Sequence, residues 1–312
     1  MIPIIDITPL VSMGAKQEGV VNEIRNACET VGFFYVIGHG ISLDIQTNIF
    51  STARDFFALP EHVKHGVGVA KSRCFRGYVP FALTGPNVPK RMLEAFQMML
   101  DFGPDDPDVA VGNIMYGSNQ WPADAPRMRA ILEAYYKEME TLSNYLLSAF
   151  ARALGEDPEF FNTYYQKPMT QLRLLHYPYV ESDNLEDQQG VEAHTDTGAF
   201  TILMQDDISG LEIRARDGNW LAATPIEDAF VINVGDMMQW WTAYRFISTP
   251  HRVTNRSGRS RYSVPFFVNP DRSAVINQLG VDPDDSGAKF EVGAHVEEAY
   301  VDAWPRDPTG VG

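Results

Sequence analysis

Apolar residues recur every three or four positions along much of the first half of the chain. This spacing places them on one face of a helix, and it predicts helices at 17–31, at 43–58 and from about Asp124 to just before Gly155. The apolar run Phe33–Ile37 predicts a strand directly after the first of these helices. The first half of the chain is therefore predicted to be mostly helical.

Beyond Thr170 the apolar residues alternate with polar ones, which is the period of a half-buried strand. The alternation predicts strands at 172–177, 200–205, 211–215, 220–223, 230–234, 249–254 and 262–268. Turn residues such as Asp217-Gly218 separate these runs. Most of the gaps are too short to hold a helix, which excludes a parallel α/β fold. We therefore expect a sandwich or a barrel.

Composition and charge narrow the possible functions. The 312 residues are 45% hydrophobic and 21% charged, as in one ordinary globular domain, which we place at 1–312. A formal net charge of −16 repels polyanions, so we expect neither nucleic acid nor a membrane as a partner. The two cysteines, Cys28 and Cys74, cannot form a disulfide framework. A cytoplasmic location is expected.

Two histidines and one aspartate have the spacing of a metal site. In a strand the side chains alternate between faces, so His194 and Asp196 point the same way and Thr195 points away. His251 follows in a second strand-like run. Two imidazoles and a carboxylate bind one face of an octahedral ion, as in non-haem Fe(II) oxygenases. Zinc with a bound water uses the same donors, so these residues alone leave both metals open.

A basic segment surrounds the second histidine. No acidic residue occurs between Asp236 and Asp271, although the chain as a whole is strongly acidic. Arg261 and Ser263 lie in this segment, on the same face of a predicted strand. A guanidinium binds a carboxylate through two parallel hydrogen bonds and stays charged when it is desolvated. Arg261 and Ser263 are therefore candidates to bind a carboxylate.

The strand predicted at 172–177 has two distinct faces. Arg173, Leu175 and Tyr177 share one face, while His176 lies on the other. Tyr177 is therefore a candidate donor to a bound acid. The same alternation excludes His176 as a ligand of the predicted metal.

Several longer runs resemble one known family. The runs are Ile2–Asp6, Ala27–Gly40, Phe56–Pro60, Ala193–Asp196, Gly210–Ile213, Asn233–Asp236, Ser248–Val253 and Arg261–Ser263. Their order and spacing are similar to those of the isopenicillin N synthase-like branch of the Fe(II)/2-oxoglutarate-dependent dioxygenases. The resemblance extends over nearly the whole chain.

The resemblance implies a mainly β fold with flanking helices. Its core would be a double-stranded β-helix, a cupin-like jelly roll, wrapped by N-terminal and central helices. It implies an N-terminal α/β region at 1–120 that covers the active site, and a jelly-roll core at 165–285 that carries the metal site. The metal would be Fe(II), bound by His194, Asp196 and His251.

The cosubstrates that the resemblance implies are 2-oxoglutarate and O2. Arg261 and Ser263 would bind the distal carboxylate of 2-oxoglutarate, and Tyr177 would contact the cosubstrate or the substrate acid. Leu175 stands where plant members often have Asn, so Arg173 is a candidate to replace that contact. The implied reaction is oxidation, most often hydroxylation, of a C–H bond in a small metabolite, with release of succinate and CO2.

Three other functions use some of the same residues. A 2-oxoglutarate-independent Fe(II) oxidase of the isopenicillin N synthase type carries an Arg-x-Ser pair for its substrate's carboxylate, and it catalyses cyclisation or desaturation. A non-catalytic binding module would share the fold but would not need three intact metal ligands. A zinc hydrolase leaves Arg261 and Ser263 without a role and lacks a general base beside the ligands.

The walls of the substrate pocket are expected to come from the N-terminal half and the C-terminal segment. The candidates are Phe75, Arg76, Tyr78, Phe81, Phe96, Met98, Trp240 and Phe267. Most of them are apolar or aromatic, which favours a partly apolar small molecule as the substrate. At least half of them are expected to be core residues instead.

Overall fold

The computed structural model describes residues 1–81, 92–179, 189–281 and 289–304. Its strands are β1 Ile4–Asp6, β2 Phe33–Ile37, β3 Gly77–Val79, β4 Glu94–Met99, β5 Gln171–Tyr177, β6 Gln189–His194, β7 Phe200–Gln205, β8 Leu211–Arg214, β9 Trp220–Ala222, β10 Phe230–Val234, β11 His251–Thr254, β12 Arg261–Val268, β13 Val275–Asn277 and β14 Lys289–Glu291. Its helices are α1 Thr8–Val11, α2 Gln17–Thr30, α3 Leu43–Phe57, α4 Glu61–Gly66, α5 Pro107–Ala110, α6 Met128–Leu154, α7 Asp236–Trp241 and α8 Val292–Ala303.

Most of the strands belong to two sheets that face each other. The major sheet has the order β1-β2-β10-β7-β12-β5-β4-β3, and the minor sheet has the order β6-β11-β8-β9. Apart from the parallel pair β1–β2, neighbouring strands in both sheets are antiparallel. Two facing antiparallel sheets with flanking helices confirm the predicted fold class.

Helix α6 covers the outer face of the major sheet. The ring of Phe150 packs edge-on against Phe200, with 5.2 Å between the centroids, and the ring of Tyr136 lies 5.0 Å from that of Phe266. Because side chains alternate along a strand, the neighbours of these sheet residues, such as Thr201, face the space between the two sheets. The packing of α6 therefore determines which strand residues line the interior.

The predicted elements are present, with small shifts at some ends. Helix α6 begins at Met128 rather than near Asp124, because Pro126 disfavours the helical conformation of the residue before it. It ends as predicted, with Gly155 at a φ of 87°, a left-handed conformation that glycine adopts at low cost. Strand β11 begins one residue after Pro250, which has no N–H for the sheet.

The first half of the chain contains more strand than its pattern predicts. Every residue of β4 is buried, so the strand shows no alternation from which it could be recognised. Strands β1–β4 all join the major sheet, at its two edges. The N-terminal region and the core thus share one sheet, and the division of the chain at 1–120 and 165–285 stays a prediction.

A membrane-crossing helix needs about 20 predominantly apolar residues. Within the described ranges, no helix combines that length with that apolar character. Cys28 and Cys74 are both buried free thiols. The cytoplasmic location stays a prediction.

Candidate active site

Two strands and a turn bring His194, Asp196 and His251 together. His194 ends β6, His251 begins β11, and the two are direct partners in the antiparallel pair. Asp196 follows β6 by two residues, and its Oδ1 lies 3.8 Å from His194 Nε2 and 3.7 Å from His251 Nε2. The donor atoms of the three residues all lie within 4.8 Å of one another. They are close enough to bind one metal ion together.

Backbone carbonyls orient both imidazole rings. His194 Nδ1 lies 2.8 Å from the carbonyl oxygen of Glu192, and His251 Nδ1 lies 3.2 Å from that of Thr249. A neutral ring that donates from Nδ1 has its lone pair on Nε2. In both rings Nε2 is the atom nearest to Asp196, so each ring presents a lone pair where the three side chains converge.

Hydrogen bonds occupy one oxygen of Asp196 and leave the other directed at the histidines. Thr201 Oγ1 donates to Asp196 Oδ2 at 2.6 Å, and Asn233 Nδ2 donates to it at 2.7 Å. Burial acts to raise the pKa of Asp196, but the adjacent His251 and His194 and these hydrogen bonds outweigh it and hold the pKa below its usual range. The side chain is therefore a carboxylate with Oδ1 available.

The segment after β10 fixes the turn that carries Asp196. Thr195 Oγ1 donates to Asp236 Oδ2 at 2.8 Å, and the backbone N–H of Asp236 donates to the carbonyl oxygen of Asp196 at 2.7 Å. A Cβ on Gly235 would lie 2.2 Å from the carbonyl oxygen of Gly198. This close approach of two backbones therefore requires glycine.

Arg261 is fully buried at the start of β12. Its partner on β5 is Tyr177, whose ring centroid lies 5.0 Å from the guanidinium carbon. Its Nε donates to the Ile208 carbonyl oxygen at 3.2 Å, and its Nη2 donates to Gln205 Oε1 at 2.9 Å. Its Nη1 donates to Ser263 Oγ at 3.4 Å. These bonds use three of the five N–H donors of a guanidinium.

Arg261 forms no direct ion pair with a described acid, although the carboxyl of Asp206 is close enough to interact with its charge. Among the described residues, none places a carboxylate within ion-pair distance of its guanidinium. A buried charge without a counter-ion is costly, and a bound anion would offset that cost. A Cβ on Gly210 would lie 3.0 Å from Arg261 Cδ, so glycine at that position leaves room for the arginine side chain.

A cavity of about 390 Å³ between the two sheets contains both the histidine–aspartate cluster and Arg261. Its volume lies within the roughly 300–1,000 Å³ that small-molecule sites occupy. The other predicted cosubstrate residues, Ser263, Tyr177 and Arg173, also line it. The structure therefore brings together in one cavity every residue predicted for the metal and the cosubstrate.

The structure places most of the predicted substrate-pocket residues away from the walls of this cavity. Of the candidates, Phe267 lines the cavity. Six others are absent from its described walls: Phe75, Arg76, Tyr78, Phe96, Met98 and Trp240. Phe81 is also absent from them and is exposed.

Four of the misplaced candidates belong to other parts of the core. Tyr78 and Phe96 pack against Phe56 of α3, with ring centroids 6.0 and 4.9 Å away. Met98 is buried on β4 and pairs with Leu172 of β5, which is also absent from the described cavity walls. Trp240 packs on the ring of Phe290, 5.2 Å away. These four side chains are core residues, as expected for at least half of the set.

The remaining two candidates lie behind the cavity wall. Arg76 is fully buried and donates hydrogen bonds to the carbonyl oxygens of Cys74 and Met115. Phe75 packs against Tyr300 and Trp304, with ring centroids 5.6 and 6.3 Å away. Both of these aromatic partners line the cavity, so Phe75 supports the wall without being part of it.

Helix α8 lies in the C-terminal segment that was expected to contribute to the pocket, and it forms one wall of the cavity; the pattern of the sequence does not indicate the helix itself. Its cavity-lining residues, with Trp304 directly after it, are Val296, Ala299, Tyr300, Asp302, Ala303 and Trp304. The ion pair between Arg272 and Glu297 connects the helix to the segment after β12. Nε2 of His295 also lies 3.3 Å from the carbonyl oxygen of Thr197, in the turn after Asp196.

Other cavity residues were missed although a signal for them exists. Thr201 and Gln171 occupy inward positions of β7 and β5 that the alternation of those strands defines. Asn233 lies in the Asn233–Asp236 run on which the family resemblance rests. The sequence therefore marks these positions, but it does not show which side chains they contact.

Two family models match consecutive parts of the chain. The family described as non-haem dioxygenase in morphine synthesis N-terminal matches residues 2–124, and the 2OG-Fe(II) oxygenase superfamily matches residues 168–270. Clavatol oxidase claD of Penicillium crustosum is 34% identical over 310 residues, which cover 93% of this chain and 92% of that protein. The chain belongs to the 2OG-Fe(II) oxygenase superfamily.

Further similarities define the class of this oxygenase. It is 38% identical over 286 residues to the 2-oxoglutarate-dependent dioxygenase citB of Monascus ruber, covering 86% of this chain and 84% of citB. The crystal structure of a full-length Neurospora crassa protein in complex with alpha-KG and thymine matches it with a TM-score of 0.82, 27% identity and 96% coverage of both chains. The predicted family is confirmed, and the protein is a 2-oxoglutarate-dependent dioxygenase that uses Fe(II) and O2.

Proposed function

We propose that His194, Asp196 and His251 bind the Fe(II) ion of this oxygenase, and that the reaction is hydroxylation of a C–H bond in a small molecule. The fit of the donors supports the metal assignment, because two Nε2 lone pairs and one free carboxylate oxygen converge on one point. Two imidazoles and one carboxylate are the donors typical of non-haem Fe(II) oxygenases, and the set leaves positions open for other ligands.

We further propose that Arg261 binds the distal carboxylate of 2-oxoglutarate, with Ser263 and Tyr177 beside it. The observation that carries this assignment is a fully buried guanidinium with no described carboxylate partner, in the same cavity as the three donors. The hydrogen bonds to Ile208, Gln205 and Ser263 fix the guanidinium before any ligand arrives. Such preorganisation lowers the entropy cost of binding.

The protein contributes binding, orientation and exclusion of water. The bound iron with 2-oxoglutarate and O2 supplies the oxidising chemistry, and succinate and CO2 are released. Thr201 and Asn233 hold Asp196 so that Oδ1 faces the metal position. Apolar side chains such as Leu203 and Val253 line the same cavity and limit the access of water. The thymine in the Neurospora crassa complex supports a small molecule as the substrate class.

An anaerobic titration tests this function. Fe(II) is added to the metal-free protein, followed by 2-oxoglutarate, and the weak visible charge-transfer band of a chelated keto acid is recorded. The band is expected in the wild type, and Arg261→Gln should require more 2-oxoglutarate to produce it. Arg259→Gln is the matched control, because Arg259 is exposed and pairs with Asp207 outside the cavity. Iron binding without the band in the wild type would overturn the cosubstrate assignment.

A further inference from the structure

A second buried arginine, Arg173, lines the cavity near helix α8. Arg173 is 6% exposed, and its guanidinium carbon lies 5.5 Å from the ring centroid of Trp304. Trp304 directly follows α8 and lines the cavity with Tyr300. The cationic group of Arg173 thus lies beside the aromatic wall that α8 provides.

Arg173 lies toward the other end of β5 from Tyr177, which is next to the proposed cosubstrate site. Tyr177 pairs with Arg261 across the sheet, and Arg173 precedes Tyr177 by four positions on the same face. At about 3.3 Å per residue, the Cα atoms of Arg173 and Tyr177 are about 13 Å apart. The side chain of Arg173 also reaches toward Trp304. Its position is therefore more suitable for contacting the substrate than for contacting 2-oxoglutarate.

A second polar group lies next to Arg173 on the same strand. Gln171 is the next inward residue of β5, is 3% exposed and lines the cavity. Within the described ranges, its Nε2 has no hydrogen-bond partner. A buried amide without a partner is destabilising, and a ligand oxygen in the cavity would remove that cost. Gln171 pairs with Phe267, another residue of the wall.

We propose that the substrate is a small carboxylic acid with an apolar or aromatic body, and that Arg173 and Gln171 bind its carboxylate. The guanidinium has five N–H donors in a planar fork that matches the two oxygens of a carboxylate. Tyr300, Trp304 and Phe267 form the apolar surface against which the rest of the substrate packs. This inference rests on the proposed function, and it changes the predicted role of Arg173 from cosubstrate to substrate binding.

Paired acids and amides test the proposal, because a primary amide has nearly the shape of the acid without its charge. The probes are phenylacetate, benzoate, cinnamate and hexanoate, each compared with its own amide. Binding to the protein loaded with Fe(II) and 2-oxoglutarate is measured anaerobically by calorimetry. At least one acid is expected to bind about 10–100-fold more tightly than its amide, because hydrogen bonds to charged groups are the stronger ones.

Variants then locate the origin of that preference. Arg173→Gln should abolish the preference for the acid, Arg173→Lys should retain part of it, and Gln171→Leu should weaken binding of the acid severalfold. The matched control is Arg252→Gln, since Arg252 also lies over a tryptophan ring, that of Trp220 at 4.2 Å, but outside the cavity walls. Each variant must also give the charge-transfer band with 2-oxoglutarate.

The outcomes separate the two proposals. If no acid binds more tightly than its amide, or if Arg173→Gln and Arg173→Lys both keep the full preference, the substrate proposal is wrong while the proposed function stands. If the wild type gives no charge-transfer band with Fe(II) and 2-oxoglutarate, the proposed function fails first. The thermal unfolding midpoint of each variant is compared with that of the wild type, so that a lost preference for the acid can be distinguished from unfolding of the variant.

Discussion

The two buried arginines of the cavity are held in different ways. Arg261 has hydrogen bonds to Ile208, Gln205 and Ser263, all in the two segments that surround it. Arg173 instead lies beside the ring of Trp304. Side-chain hydrogen bonds to neighbouring segments hold the first arginine, and an aromatic ring that directly follows α8 lies against the second. The comparison shows that one end of the cavity has a cation held by several side-chain hydrogen bonds, while the other end has a cation beside an aromatic ring.

The largest effect is expected from a substitution that removes a proposed metal ligand, because both ends of the cavity depend on the bound metal for turnover. Asp196→Ala should abolish iron binding and reduce succinate release to the level of the protein-free mixture, because the carboxylate donor oxygen is lost. Iron content and succinate are the measurements. Asp217→Ala is the control, since Asp217 lies in an exposed turn with Asn219. Stoichiometric tight iron binding by Asp196→Ala would contradict the assignment.

The next prediction compares the two arginines directly. Arg261→Gln should raise the concentration of 2-oxoglutarate needed for half-maximal charge-transfer absorbance by about 10–100-fold, which corresponds to the loss of charged hydrogen bonds worth roughly 1.5–3 kcal/mol. Arg173→Gln should leave that concentration unchanged. Equal effects of the two variants would show that the two ends of the cavity do not have separate roles.

An effect of similar size, on metal affinity instead of 2-oxoglutarate affinity, is expected from the residues that hold Asp196. Asn233→Ala and Thr201→Val each remove one hydrogen bond to Oδ2. Loss of such a supporting contact typically weakens metal affinity by about 10–100-fold. Competition with a chelator measures the Fe(II) affinity, and Asn219→Ala in the exposed turn serves as the control. Unchanged affinity in both variants would mean that the carboxylate does not need these bonds.

The smallest predicted effect concerns the outer face of β5, opposite Arg173. Glu94 accepts hydrogen bonds from Lys64 at 2.8 Å, Tyr78 at 2.7 Å and His176 at 2.7 Å. Burial acts to raise the pKa of Glu94, but the bonds from His176, Lys64 and Tyr78 hold it below its ordinary value of 4.5. The carboxylate therefore stabilises the fold fully above pH 4.5, and this contribution is lost as the pH falls through the lower folded pKa.

Glu94→Gln should lower the free energy of unfolding at neutral pH by about 1–3 kcal/mol, because a charged hydrogen-bond acceptor is removed. The difference from the wild type should shrink in acid, where Glu94 itself becomes protonated. Urea unfolding at neutral and acidic pH measures both effects. If the difference in unfolding free energy grew in acid, the predicted pH dependence would be wrong. As a control, the charge-transfer absorbance with 2-oxoglutarate should be the same in both proteins.

The sequence could predict that the residues proposed for the metal and the cosubstrate lie together, because their chemistry restricts the residue types. Arg261 and Ser263 share a face because both lie in β12, as the period of a strand predicts. His194 and Asp196 were predicted to share a face by the same rule, but Asp196 lies in the turn after β6, where Thr201 and Asn233 hold its side chain. The same rule excluded His176 from the metal site, and the structure places this residue on Glu94 instead.

The substrate walls could not be predicted in the same way. Whether Phe75 lines the cavity or supports Trp304 from behind depends on contacts between distant parts of the chain. Nothing in the local pattern shows that α8 packs over the interior of the sheets, or that the backbone carbonyls of Cys74 and Met115 bind Arg76. Long-range packing decides these positions, and a periodicity describes only short-range order.

The location of α8 also affects which substitutions can change the substrate of this protein during evolution. Substitutions in this helix reshape one wall of the cavity, yet they leave untouched the strand pairing that places His194 opposite His251. A lineage can therefore exchange one substrate for another by accumulating changes in a segment that carries none of the proposed iron ligands. The proposed iron ligands then stay the same, while the wall of the cavity that faces the substrate changes.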